Sequence, residues 1–276
     1  MSSCFQSTRW IRNGSLAAGA AIAAWFVLAG GGSHLVVRIL YGVMIFALVG
    51  VVGFGIAQFR SMRLMNQALA LLNQELEPDR FLHAFTPAAA RCRKDTIQGV
   101  MAWVYVSAGY MAQGDAEKAL GVLDGLHPEQ MKSRGLAAEG LVLNQKFQCQ
   151  YALGDTEGAA RTLERLGELA REMAKRQPSA AKNLSYNVHL FGEYLRFAGE
   201  GEADTAYLEE EIRLSANRLH RQQVRMVLAD IYRAMGRRED ELRLLREVSR
   251  EGGGLACREE ALRRLKAADI GEEVEG

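Results

Sequence analysis

The sequence predicts an all-α protein in which two transmembrane helices precede an array of about four helix–turn–helix units. Three observations lead there. Residues 15–59 are apolar, with Arg38 their one Lys, Arg, Asp or Glu. Beyond Phe59, Ala, Leu, Glu, Arg and Gln recur with the 3.6-residue apolar rhythm of amphipathic helices, broken only by Pro78, Pro87, Pro128 and Pro178. Glycine turns at Gly114, Gly154, Gly199 and Gly236 each follow small and aromatic or leucine residues at similar distances.

The 276 residues are 49% hydrophobic and 24% charged, the balance of a folded chain rather than a disordered one. The net charge of +1 conceals an asymmetry. Residues 1–59 hold Arg9, Arg12 and Arg38 and no acid, which leaves 31 of the 34 basic residues against all 33 acids, about −2, in residues 60–276. That near balance argues against a general nucleic-acid binder, whose phosphate contacts need a concentrated basic excess. Cys4, Cys92, Cys149 and Cys257 form no C-x-x-C pair and read as reduced, mostly buried thiols; His34, His83, His127, His189 and His220 are equally scattered. No metal, cofactor or catalytic constellation is expected. The "GVVGFG" of residues 50–55 lies inside an apolar run and opens no amphipathic helix after a strand, so it is not a nucleotide loop.

Residues 1–59 read as a membrane anchor with spans at about 15–31 and 35–59. The second run has 25 residues, and crossing a hydrocarbon core takes about 20. The first is shorter and Ala-rich, with Trp25 and Phe26 within it. Its rival is a secretory signal with small residues at Ala29-Gly30-Gly31; Gly31 stands where a lipoprotein would need cysteine, and the second apolar run so close behind favours a hairpin. Arg9 and Arg12 before the first span and Arg60 and Arg63 after the second put both termini in the cytoplasm, with Arg38 snorkelling at the outer interface. A multi-pass protein of a bacterial cell membrane is the expected setting. Ala17, Ala20, Ala21 and Ala24 on one span and Gly42, Ala47, Gly50 and Gly53 on the other allow close helix approach, for self-packing of the hairpin or for oligomerisation.

Residues 60–94 form a connecting helical segment: Arg60 to Leu76 continues the second span, and "EPDRFLHAFTPAAARCRKD" follows. Residues 95–250 carry the repeats. In "WVYVSAGYMAQGDAEKAL", Trp103, Val106-Ser107, Tyr110, Ala119 and Leu123 follow the spacing of the tetratricopeptide pattern, with Gly114-Asp115 ending one helix and capping the next. "YALGDTEGAARTL" repeats the turn at Gly154-Asp155, and Phe191-Gly192 and Leu228-Ala229 precede Gly199 and Gly236. The chain thus resembles tetratricopeptide-repeat proteins over roughly 95–250. It departs from them in spacing, with 40, 45 and 37 residues between turn glycines against the usual 34, in Phe147 at a small-residue position, and in Glu241 where a small Ala belongs. Ala256 to Ala268 would cap the stack before an acidic tail, within residues 251–276.

In that family the first helix of each repeat lines a concave surface. The resemblance implies a peptide-binding groove of Met101, Val104, Ala108 and Met111; Leu141, Asn144, Gln148 and Tyr151; Tyr186, His189, Glu193 and Arg196; and Gln223, Met226, Asp230 and Arg233. Met101, Val104 and Met111 at helical spacing also suit plain packing against the preceding segment. The set His189, Glu193 and Arg196 reads as an exposed polar face rather than an acid/base site. Arg218, Arg221 and Arg225 read as a solvated basic face diluted by Glu209, Glu210 and Glu211. The function expected is a membrane-anchored, cytoplasm-facing scaffold or assembly factor that binds a protein or peptide. Its alternatives are an accessory subunit of a membrane enzyme or transporter complex, or a catalytic protein with a site in the groove.

Overall fold

The computed structural model describes the backbone of residues 2–29, 35–128, 135–199 and 201–275. The turn at 30–34 and the side chains of Arg9, Arg12, Arg38 and the residues beyond 269 lie outside the described residues. Every element described is helical, without a strand among them: α1 (Ser2–Ala29), α2 (Leu35–Asn73), α3 (Pro78–Ala89), α4 (Ile97–Ala112), α5 (Ala116–Asp124), α6 (Gly135–Ala152), α7 (Thr156–Arg176), α8 (Pro178–Ala198), α9 (Thr205–Leu214), α10 (Arg218–Ala234), α11 (Arg238–Glu251) and α12 (Ala256–Glu275). The chain forms two compact units, Met1–Leu69 and Ala70–Gly276.

In the first unit α1 runs antiparallel to α2. Ser15, Leu16 and Gly19 face Gly53, Gly50 and Phe46 with Val49 in turn. A Cβ on Gly53 would fall on the Ser15 side chain, and one on Gly19 would stand 3.3 Å from the Phe46 ring. Glycine is required at Gly53 because the helices approach that closely. The large apolar side chains point the other way: Leu40, Leu48, Val51 and Phe54 are all more than half exposed. Among the described residues one helical stretch, Ile39–Ile56, is long and apolar enough to cross a membrane, where two were expected. The first expected span, 15–31, includes side chains and a turn that lie outside the described residues.

The second unit is a repeat-like stack in which each helix covers its neighbours. Helix α4 packs on α3, α5 and α6; α6 on α7 and α8; α10 on α9, α11 and α12. Three corners are built alike. Gly114, Gly154 and Gly236 have φ of 83°, 73° and 71°, and the next residue's N–H reaches back to Tyr110, Gln150 and Tyr232 at 2.9, 2.9 and 2.8 Å. This is the glycine C-cap in which a left-handed residue lets the chain reverse and satisfy the last carbonyls. Asp115 and Asp155 then accept from the backbone N–H groups of Lys118 and Gly158 and start the following helix. Gly199 breaks the series: its φ is −93°, and the α8–α9 connection is longer.

Two apolar cores result. Val100, Val104, Ala119, Leu123, Ala138, Val142 and Cys149 fill the space between α4, α5 and α6. A larger core runs from Phe147 and Leu166 through Phe191 and Leu228 to Leu245 and Ala261. Ser107 is fully buried and donates to the Ala119 carbonyl at 2.9 Å, so the small residue also satisfies its own hydroxyl. The departures from the repeat pattern have local causes. Phe147 stacks on Phe191 with centroids 4.1 Å apart, filling with an aromatic pair what a small residue would have closed. Glu241, 1% exposed, accepts from Arg238 and from Arg264 of α12, each at 2.6 Å. The basic face expected on α10 is corrected too. Arg225 is buried and meets Glu247 at 2.9 Å and Glu251 at 2.6 Å, because α11 presents acids to it.

The stack also curls until its edges meet. The Leu76 carbonyl accepts from the Gly254 N–H at 2.9 Å, Arg218 donates to the Gln74 carbonyl at 2.8 Å, and Gln74 Nε2 donates to the Ala216 carbonyl at 3.3 Å. Nearby, a Cβ on Gly114 would lie 2.9 Å from that of Ala256. Corners at the start of the array therefore rest on loops at its end.

Replacing Glu241 tests the ionic plug. Its burial opposes ionisation, but the hydrogen bonds from Arg264 and Arg238 outweigh it and hold the carboxyl below its ordinary 4.5. A depressed folded pKa means stability that is present above pH 4.5 and lost as pH falls through the folded value. Glu241→Gln is expected to cost about 1–3 kcal/mol at neutral pH, because Arg264 keeps Asp230 but loses its charged partner on α11. Its acid unfolding curve should be flatter than that of the parent, as checked by denaturant titration across pH.

Candidate functional site

The expected groove residues lie on α4, α6, α8 and α10 and fall into distinct environments. Val104 belongs to the α4–α6 core, and Met111 packs against that core with Trp103 and Tyr110. Met101 and Ala108 are half-buried. Leu141 is exposed, and Gln148 is half-buried. Asn144 keeps a buried Oδ1 without a hydrogen-bond partner among the described residues. Met226 packs against the larger core, Gln223 is half-buried, and Arg233 is exposed with its charge acting on Asp230. An open recess at the ends of α4 and α6 is lined by Met111, the 113–117 corner, Ala152 and Leu153.

The structure gathers a tyrosine-rich cluster around α8. Tyr151 stacks on Phe147 and lies 5.4 Å from Tyr194 by ring centroids; His189 meets Tyr207 edge-on at 4.6 Å. Glu211 pairs with His220 at 2.9 Å and also serves the Tyr186 hydroxyl. Burial raises the Tyr151 hydroxyl to about 12, helped by the Asp230 carboxylate on α10. Burial likewise raises Tyr186, Tyr194 and Tyr207, with Glu211 adding to each. The cluster thus joins aromatic faces on α6, α8 and α9, which suit an apolar or cationic group.

Asp230 lies on α10 within reach of α12. Its side chain is 50% exposed, and Arg264 holds it at 2.6 Å. Desolvation by the surrounding protein nevertheless raises its carboxyl above the usual range.

Glu193 has a different role from the one its spacing implied. It is 2% exposed, accepts from the Asp204 N–H at 2.8 Å and pairs with Arg196 at 3.0 Å, so it ties down the α8–α9 connection. Sequence reasoning missed Tyr194, Tyr207, Glu211, His220 and Arg264. Tyr207 and Glu211 sit at i and i+4 on α9, a legible spacing, but nothing local indicates that α8 and α10 converge on them.

Among the described residues no three His, Cys, Asp or Glu side chains form a metal-holding group. Cys149 is buried, and burial pushes its thiol to about 11, as expected of an inert core cysteine. No protein-family model matches the chain, and neither a curated protein nor a solved structure matches it.

Two substitutions separate structural from free polar groups here. Tyr207 Oη is buried with no partner among the described residues, so Tyr207→Phe should leave the melting temperature unchanged or slightly raised. Glu193→Ala should cost about 1–3 kcal/mol by stranding the Asp204 N–H. Calorimetry of the two variants side by side checks both.

Proposed function

We propose that the protein is a membrane-anchored, tetratricopeptide-like module that binds another protein, as a scaffold or assembly factor. The observation that carries the reading is the coexistence of two surfaces in one chain. One is a helix pair with small residues inside and large apolar residues outside, the arrangement that suits lipid. The other is a repeat-like helical stack that carries half-buried Met101 and Met226 and exposed Leu141 and Tyr186 on α4, α10, α6 and α8. Such a surface suits a peptide with apolar side chains and a basic one. On this reading α1 and α2 form a membrane hairpin, both termini are cytoplasmic as the flanking arginines favour, and the setting is a bacterial cell membrane.

Site-specific photo-crosslinking in intact cells tests it. Photoreactive residues at Leu141, Tyr186 and His189 are expected to capture a common protein partner, whereas Arg161 and Arg246, exposed on α7 and α11, are not. Capture confined to the α7 and α11 positions would refute the concave-face reading. A reporter active only in the cytoplasm, fused after Gly276, is expected to be active; an inactive fusion with an active extracytoplasmic counterpart reverses the topology.

A further inference from the structure

Two large apolar side chains stand uncovered at corners of the stack. The residue before the turn glycine is Gln113 at the first corner, Leu153 at the second and Met235 at the α10–α11 corner. Leu153 is 41% exposed and Met235 56%. Gln113 is exposed and polar, and it donates to Asp79, so the corner itself requires no apolar group there. Single exposed apolar residues are common, and what distinguishes these two is their surroundings.

Leu153 forms one wall of a recess of about 480 Å³ at the ends of α4 and α6. Met111, Ala116 and Ala152 add apolar lining, and Asp115 and Glu117 add acid. Asp115 is already engaged: it caps α5 and meets Lys118 at 3.7 Å, while Lys118 lies over the Tyr110 ring at 4.6 Å. Glu117 is exposed and has no ion pair among the described residues. The complement of such a recess is an apolar side chain with a cation beside it.

The α10–α11 corner has that chemistry. Where the first two corners read Gly-Asp-Ala-Glu and Gly-Asp-Thr-Glu, this one reads Gly-Arg-Arg-Glu. Arg237 lies over the Tyr232 ring at 4.3 Å and pairs with Asp240 at 2.6 Å, and Arg238 pairs with Glu241 at 2.6 Å. That leaves Arg233, exposed and two residues before Met235, whose neighbouring carboxylate Asp230 is held by Arg264 at 2.6 Å. Met235, unbranched and flexible, adapts to an irregular apolar wall.

We propose that the recess docks a second copy of this chain: Met235 of one copy packs on Leu153 and Met111 of the other, and Arg233 pairs with Glu117. The contact covers both exposed apolar corners at once and joins two charges that lack a partner within the chain. It does not depend on another protein binding to α4, α6, α8 and α10. One apolar knob and one ion pair fall far short of a stable interface, so trapping reveals the contact better than co-elution.

The test uses the full chain in mild detergent, with Cys4, Cys92 and Cys257 changed to alanine. Copies with Leu153→Cys and one tag are mixed with copies carrying Met235→Cys and another tag, then oxidised, so that only intermolecular disulfides join the two tags. The mixed disulfide is expected to form at least about tenfold faster than between Arg161→Cys and Arg246→Cys copies, which place thiols on exposed sites of α7 and α11. Adding Glu117→Arg to the first copy or Arg233→Glu to the second is expected to slow it about fivefold or more, and combining the two to restore it. Added salt supplies a reading that needs no charge substitution: it should slow the Leu153–Met235 pair and not the Arg161–Arg246 pair. A rate no faster than that control, a rate indifferent to salt and to both charge reversals, or loss in each reversal without recovery in the combination would each end the proposal.

Discussion

A helical hairpin cannot bury its own apolar face, and in this protein everything beyond residue 70 follows from that constraint. Each helix is covered by the next pair, which is why Phe147 and Cys149, two positions apart on α6, belong to two different cores. The corners must then be alike, because a stack propagates only if successive hairpins reverse at the same angle. The left-handed glycines at 114, 154 and 236 meet that need. The α8–α9 connection does not, and Glu193 replaces the glycine corner with a buried carboxylate that holds the loop.

Stacking alone leaves gaps where the pattern degenerates, and ion pairs fill several of them. Glu241 with Arg238 and Arg264, and Arg225 with Glu247 and Glu251, stand at seams where a shorter repeat would place small or apolar residues. A buried pair of this kind adds little net stability over an apolar contact, but removing one partner is costly. These pairs therefore fix the register of α10, α11 and α12 more than they strengthen it. Arg264 does so twice, since it also reaches Asp230 on α10.

Much of this was legible in the chain. Glycine followed by aspartate, with Tyr110 or Gln150 ahead of it, announces its C-cap and N-cap locally, and the seam of Ser107 and Ala119 is a matter of size. Glu241 was visible as a misfit but not as a plug, because its partner Arg264 lies 23 residues on in another helix. Arg225 looked solvated for the same reason. The tyrosine cluster depends on three helices converging, and the junction of Leu76 with Gly253 depends on the curvature accumulated over the whole stack. Local periodicity carries no record of either. Of the two expected spans, the stretch Ile39–Ile56 is long and apolar enough to cross a membrane, while part of the first lies outside the described residues.

The central claim is that the array beyond residue 70 curls until its two edges meet at residues 74–76 and the 216–218 and 251–254 loops. Spin labels at Glu75 and Arg250, on either side of that junction, measure it directly by pulsed electron resonance on the full chain in nanodiscs. The account predicts a short, narrow distance distribution that lengthens and broadens when Gly253 is replaced by valine. A long distance in the parent chain, unmoved by that substitution, would contradict it.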